Sequence, residues 1–206
     1  MAAGQSSRRR PALADLDAVT LDAYGTLLKL RDPIGLLGRL LPDRSPTEIE
    51  QAFSEEAAYY VPRSFLGRDE ASLAQLYAEC TAVFNEAIGA DLSPEQYVGA
   101  LEYEQVAGAF EAVGRLRGLG LAIAVVANWD CTLPKRLPRD WIVVTSAEAG
   151  APKPDPEPFR LALGRLGVAP ARALHVGDSP ADEEGARAAG LHFLPAPLTS
   201  VVEGWS

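Results

Sequence analysis

The chain has 206 residues, 48% of them apolar and a formal net charge of −9, enough apolar material for a folded core of its own. The acidic balance excludes a phosphate-neutralising surface and therefore a nucleic-acid partner. No apolar run approaches the roughly 20 residues that span a bilayer, and "MAAGQSSRRRPALA" lacks the apolar segment of a signal peptide, so no membrane partner and a cytoplasmic location are expected.

In chain order, residues 1–14 read as a flexible N-terminus whose basic run, Arg8 to Arg10, solubilises it. Asp17 to Asp22 ("DAVTLD") is the first strand-like run. Almost a hundred residues without a convincing strand follow, and they carry helical periodicity instead. "SPTEIEQAFSEEAAYY" begins at a capping Ser45, and "DEASLAQLYAECTAVFNEAIG" runs from a capping Asp69 to a stop at Gly89. Such a stretch is too long for a loop, so 33–100 is expected to form a separate helical lobe, with 15–32 and 101–206 as the core. The acidic run Glu48 to Glu56 reads as a solvent-facing surface.

Beyond it, strand-like runs at Leu121 to Asn128, Trp141 to Thr145, Ala173 to Gly177 and Leu191 to Pro195 alternate with helical stretches at Tyr103 to Leu119, Pro156 to Leu166 and Ala181 to Ala189. Nearly continuous apolar strands separated by helices predict an α/β fold, a doubly wound, Rossmann-like parallel sheet covered on both faces. Cys80 and Cys131 have no CxxC spacing and no neighbouring His, so they read as idle thiols rather than a zinc site or a disulfide framework.

Ligands of such sheets bind outside the carboxyl ends of the strands, which makes the residues leaving each strand the ones to inspect. Asp22 leaves the first, Asn128 and Asp130 the second, and Asp178 the fourth; the loop before the fourth strand brings Lys153. One Asp after a strand is weak evidence, because Asp is a common turn and cap residue. Three acidic strand ends converging with a Lys on one edge are a stronger pattern.

Four segments in order, "DAYGT" (Asp22 to Thr26), "VVANWD" (Val125 to Asp130), "GAPKPDPEPF" (Gly150 to Phe159) and "HVGDSPADEEGARAAG" (His175 to Gly190), resemble the haloacid dehalogenase superfamily of hydrolases. The first, with Tyr two places after Asp, is in the style of its dehalogenase-like members. The resemblance implies that 33–100 is a helical cap, that Asp22 is a nucleophile forming a covalent aspartyl intermediate, and that Lys153 balances its charge. It implies a Mg²⁺ site from Asp22, the Tyr24 carbonyl, Asp178 and Asp182, a hard-oxygen set, with capping of the following helix as the competing role of Asp182.

Two positions depart from the family's pattern. Tyr24 stands where its phosphatases place a second acid that protonates the leaving alcohol and then activates water; a phenol of pKa about 10 can donate a proton but is a poor base at neutral pH. Ala127 stands where a Ser or Thr hydroxyl usually binds the substrate, leaving Asn128 and local amides to compensate. Arg63 and Arg68, in the loop between the two main lobe helices, are candidate contacts for the substrate's anionic group, with Tyr60 beside them.

The expected activity is Mg²⁺-assisted hydrolysis of a small anionic phosphate ester by a monomer or homodimer. Carbon–halogen hydrolysis, which needs no second acid, is the alternative, and a weakly active or inactive scaffold with a binding role is another. Phosphonate cleavage requires a cap lysine, whereas the lysines here are Lys29, Lys135 and Lys153. A serine-hydrolase elbow at "GDSPA" lacks its second glycine, and both histidines lie on apolar strands.

Overall fold

The computed structural model describes residues 10–205. Most of the 1–14 segment lies outside them, but its last residues are docked rather than free. Arg10 donates to the carbonyls of Val201 (2.5 Å) and Ser200 (3.2 Å), the Trp205 indole donates to Pro11 at 3.3 Å, and Leu13–Asp15 forms a 3₁₀ turn.

The first strand, β1 (Ala18–Leu21), is buried throughout. A short β2 (Leu28–Leu30) leads into four helices, α1 (Pro33–Leu40), α2 (Pro46–Tyr60), α3 (Glu70–Ile88) and α4 (Pro94–Gly99), after which β3 (Tyr103–Gln105) returns antiparallel to β2. The core then continues through α5 (Ala109–Gly118), β4 (Ala122–Ala127), β5 (Ile142–Thr145), α6 (Ser146–Ala149), α7 (Glu157–Leu166), β6 (Ala173–Gly177), α8 (Pro180–Ala188), β7 (His192–Pro195) and α9 (Leu198–Glu203).

The core strands pair in parallel in the order β5-β4-β1-β6-β7. Side chains alternate across them, as the two-residue period of a strand requires. Val19 and Leu21 of β1 with Ile123 and Val125 of β4 join the apolar cluster that includes Val113 and Leu116 of α5 and Val201 of α9. Ala18, Ala124 and Val126 face the opposite cluster, built with Phe159 and Leu163 of α7 and Ala186 of α8. The chain winds outward from β1 to β5, then crosses back to β6 on the other side. Its reversal point is therefore the carboxyl end of β1, where Asp22 sits.

The helical segment has a smaller core of its own around Leu37, Ile49, Phe84 and Tyr97, with Phe84 and Tyr97 stacked at 4.7 Å. Local chemistry sets its helix ends. Ser45 and Glu48 close a reciprocal capping box at the start of α2, Asp69 and Ser72 do the same for α3, and Gly89 ends α3 at a φ of 66°.

Two expectations need correction. The helix expected from Tyr103 starts only at Ala109, and Tyr103–Gln105 is a strand; with β2 it makes a ribbon flanking the helical segment, carrying ion pairs between Lys29 and Glu104 (3.0 Å) and between Arg31 and Glu102. Three-residue strands bearing charges are too short to show a period of two, so the sequence pattern concealed them. The acidic face of α2 is likewise not wholly solvated, since Glu56 at its last turn is only 6% exposed.

Candidate active site

Asp22 follows β1 directly and its amide donates to the Val176 carbonyl at 2.9 Å, which ties the residue to the ends of two strands. The next turn requires Gly25, at a φ of 77°; a Cβ there would lie 1.8 Å from Asp178 Oδ2, so the missing side chain lets the two loops touch.

Lys153 reaches this point from the loop before α7, 5% exposed. Its ammonium donates to Asp22, to Asp182 Oδ1 at 2.5 Å and to the Val126 carbonyl at 2.9 Å, so all three of its protons are engaged. Burial alone would lower its pKa, but Asp22 and Asp182 outweigh burial and hold it above the ordinary value. Asn128 fixes the loop that carries it: the side-chain oxygen accepts from the Lys153 amide at 2.6 Å, and the side-chain nitrogen donates to the Lys153 carbonyl at 2.9 Å. Asn128, expected at the substrate, lines the cavity, and both atoms of its side-chain amide are bonded to the Lys153 backbone.

Asp182 is 1% exposed and saturated. Oδ1 accepts from Lys153 and from His175 Nε2 at 3.1 Å; Oδ2 accepts from the Ser179 amide at 3.0 Å and hydroxyl at 2.6 Å, within the capping box of α8. Burial works to raise its pKa, but His175 and Lys153 prevail and hold it well below the usual carboxylate range. Asp182 therefore does cap its helix, and its lone pairs are already occupied. His175 is fully buried; burial depresses its pKa, so the ring is neutral, with Nδ1 paired to the Thr20 hydroxyl at 2.9 Å. Neither fact suits a serine hydrolase: Ser179 is a helix cap bonded to Asp182, and His175 bonds Thr20 and Asp182 instead.

Oxygens of Asp22, Asp178 and Asp182 lie within 4.8 Å of one another; with the Asp182 lone pairs occupied, Asp22 and Asp178 are the carboxylates that fit a hard divalent cation, and Asp182 supports them through Lys153. Asp178 is the exposed member and its pKa is raised by burial and by Asp182. Asp22, enclosed with these like charges, has its pKa pushed up to about 6, chiefly by desolvation, with Lys153 opposing. It is mostly ionised at neutral pH.

Asp22, Lys153 and Asp178 form the floor of a cavity of about 550 Å³. Tyr24, 49% exposed, lines it, and burial and Asp178 both raise its pKa, which keeps the phenol protonated. Ala127 lines it without a hydroxyl. The opposite wall comes from α2, α3 and α4. Tyr60 and Tyr77 donate to Asp130 Oδ2 at 2.9 and 3.1 Å, while Oδ1 accepts from the Thr132 amide and hydroxyl, so a buried carboxylate beyond β4 ties the helical segment to the sheet edge. Ser64 and Ser146 join the same two parts at 3.0 Å.

The arginines expected at the substrate do not line the cavity. Arg63 donates to the Tyr59 carbonyl at 3.0 Å and stacks over the Tyr59 ring at 3.9 Å, and Arg68 is on the exposed approach to α3. A short turn at the end of α2 aims Arg63 back along its own helix. Arg136, stacked on Tyr103 at 4.4 Å, is instead the arginine that lines the cavity. Its place in the segment after β4, following Asp130, is the cue the sequence offered. Cys80 and Cys131 are both free thiols.

The family model of haloacid dehalogenase-like hydrolases matches residues 16–190. The chain belongs to this family. Haloacid dehalogenase-like hydrolase domain-containing protein 3 from Mus musculus is 34% identical, over 89% of this chain and 84% of its own. Phosphoglycolate phosphatase from Rhodospirillum rubrum is 31% identical, over 84% of this chain and 76% of its own. The L-2-haloacid dehalogenase structure from Xanthobacter autotrophicus superposes with a TM-score of 0.64 at 21% identity, covering 86% of this chain and 76% of that one, and so shares the fold. This hydrolase carries its acidic cluster at the sheet's reversal point.

Proposed function

We propose that the protein hydrolyses a small phosphate monoester through Asp22, with residues 33–100 acting as the cap over the site. The observation that supports this reading is the contact of Lys153 with Asp22 beside Asp178: a buried carboxylate, a fixed cation and a second, more exposed carboxylate at one sheet edge. Phosphatases among the relatives, including the Rhodospirillum rubrum enzyme, support it.

In the first step a carboxylate oxygen of Asp22 attacks phosphorus, an Asp–O–P bond forms, and the bond from phosphorus to the leaving alcohol breaks. The protonated Tyr24 phenol is placed to donate to the departing oxygen. In the second step water attacks phosphorus and returns a proton to the Tyr24 phenolate, the Asp–O–P bond breaks, and phosphate leaves with Asp22 and Tyr24 restored. Lys153 holds Asp22 in line throughout, and Asp182 with Asn128 holds Lys153. Mg²⁺, held by Asp22, the Tyr24 carbonyl and Asp178 with Asp182 behind them, would neutralise phosphate charge. The aromatic wall excludes water while the site is closed.

A second reading is favoured by Tyr24 and Ala127: without a second acid or a hydroxyl, the same Asp22 suits attack on carbon with departure of halide, which needs no proton. Hydrolysis of an aryl phosphate by purified protein, with Mg²⁺ and with chelator, separates the two. Turnover that needs Mg²⁺ and vanishes in Asp22→Asn supports the phosphatase; absence of phosphate release with halide release from a 2-haloacid supports the alternative.

A further inference from the structure

The helical wall holds a carboxylate with no counter-charge. Glu56, at the last turn of α2, lines the cavity and is 6% exposed. Its pKa is raised by burial, against which only the Tyr97 hydroxyl and the Cys80 thiol act in its favour, and no cation does. The two basic residues on the cavity wall are committed elsewhere: Lys153 to Asp22 and Asp182, Arg136 to the face of Tyr103. The Tyr97 hydroxyl that faces Glu56 is buried and makes no hydrogen bond of good geometry, although the residue lines the same cavity and is only 1% exposed.

A buried carboxylate that lacks a cation is costly, and a hydroxyl beside it whose hydrogen bond is poorly formed adds little to offset that cost; both face one space. The rings of Phe53, Tyr60, Tyr77, Tyr103 and Trp129 line the same cavity, with aliphatic side chains such as Val98 and Leu101 among them. Ring faces attract cations, and a carboxylate set among them completes a cage for an ammonium group. A neutral apolar group would fill the space but leave Glu56 and Tyr97 unanswered.

We propose that Glu56, Tyr97 and the surrounding rings select an organic ammonium group carried by the leaving alcohol, making the substrate the phosphate ester of an amino alcohol. The proposal rests on the phosphatase reading for its orientation, with the phosphate at Asp22 and the cation at the helical wall. The ammonium would sit beside the Glu56 carboxylate and favour its ionised form, while the Tyr97 hydroxyl offers a lone pair to an N–H or a C–H next to the charge.

Pairs of equal shape and different charge test it. Phosphocholine against 3,3-dimethylbutyl phosphate, and phosphoethanolamine against propyl phosphate, are compared by kcat/KM. Choline against 3,3-dimethylbutan-1-ol is compared by equilibrium binding, which needs no turnover. The expected result is a preference of tenfold or more for the charged member in the wild type, reduced at least fivefold in Glu56→Gln, whose side chain keeps the shape. Charged and neutral members treated alike in both binding and turnover, or a preference unchanged in Glu56→Gln, would overturn the proposal. Failure of the phosphatase reading looks different: no phosphate is released from any ester, while the binding preference for choline remains.

Discussion

The two sides of the cavity are built on opposite terms. On the sheet side, Lys153, Asp182, His175 and Asn128 consume one another's hydrogen bonds, so that charge is dense but nearly every group is answered. On the helical side charge is sparse, and Glu56 stands without a counter-charge, with only the Tyr97 hydroxyl and the Cys80 thiol acting in its favour. The difference separates two tasks. A site that must hold one geometry through a reaction has its groups fixed in advance, whereas a surface that must receive a ligand keeps its polar groups waiting.

The sharpest way to break this contrast is to remove the cation of the sheet side. Lys153→Met leaves Asp22 and Asp182 buried without their partner and should lower stability by about 3–5 kcal/mol, measured by denaturant unfolding at pH 7.5. A loss under about 1 kcal/mol would mean that the cluster is less enclosed than its burial indicates.

Asp22 should behave in the opposite sense. Its folded pKa of about 6 lies above the ordinary 3.8, so the native state binds more protons than the unfolded chain between those values. Its charge therefore works against folding above pH 6, and this burden fades as pH falls toward 4. Asp22→Asn should raise stability by about 1–3 kcal/mol at pH 7.5 and by almost nothing at pH 4. A variant less stable than wild type at pH 7.5 would show that Lys153 favours the ionised Asp22 more than burial disfavours it.

The seam between the two sides is Asp130. Asp130→Ala strips Tyr60, Tyr77 and Thr132 of their acceptor and should cost about 1–3 kcal/mol. It should also speed amide exchange in α2 and α3 more than in β1 and β4, and uniform exchange changes would argue against a seam.

Much of the sheet side was legible in the sequence because its residues stand at strand ends, where the pattern of apolar runs fixes position: Asp22, Asp178 and Lys153 all meet where the parallel sheet reverses. Asp182 was half legible, since a carboxylate three residues after Ser179 reads equally as a cap. The helical side was not. Periodicity tells that α2 has two faces, but not that the acidic Glu56 at its end turns inward, nor that Arg63 folds back onto Tyr59. Those outcomes depend on how four helices pack, which local patterns do not encode. The ribbon of β2 and β3 was hidden for a simpler reason, strands three residues long.

Tyr24 is the smallest of the expected effects and belongs to the sheet side. Tyr24→Asp would place a carboxylate able to give a proton to the leaving alcohol and take one from water, and phosphatase turnover should rise roughly tenfold or more. No rise would point to the missing hydroxyl at Ala127 as the limit, and Ala127→Ser in the same background would then recover it.

The central claim is that Asp22 becomes bonded to phosphorus during turnover, and trapping that bond tests it most directly. The protein is quenched in acid while hydrolysing an aryl phosphate with Mg²⁺, reduced with borohydride, and digested for mass spectrometry of the peptide containing residue 22. An acyl phosphate at Asp22 is reduced to homoserine, whereas a free carboxylate is not, so the account predicts homoserine at position 22 only in quenched, turning-over samples. Phosphate release with Asp22 recovered unchanged would contradict it.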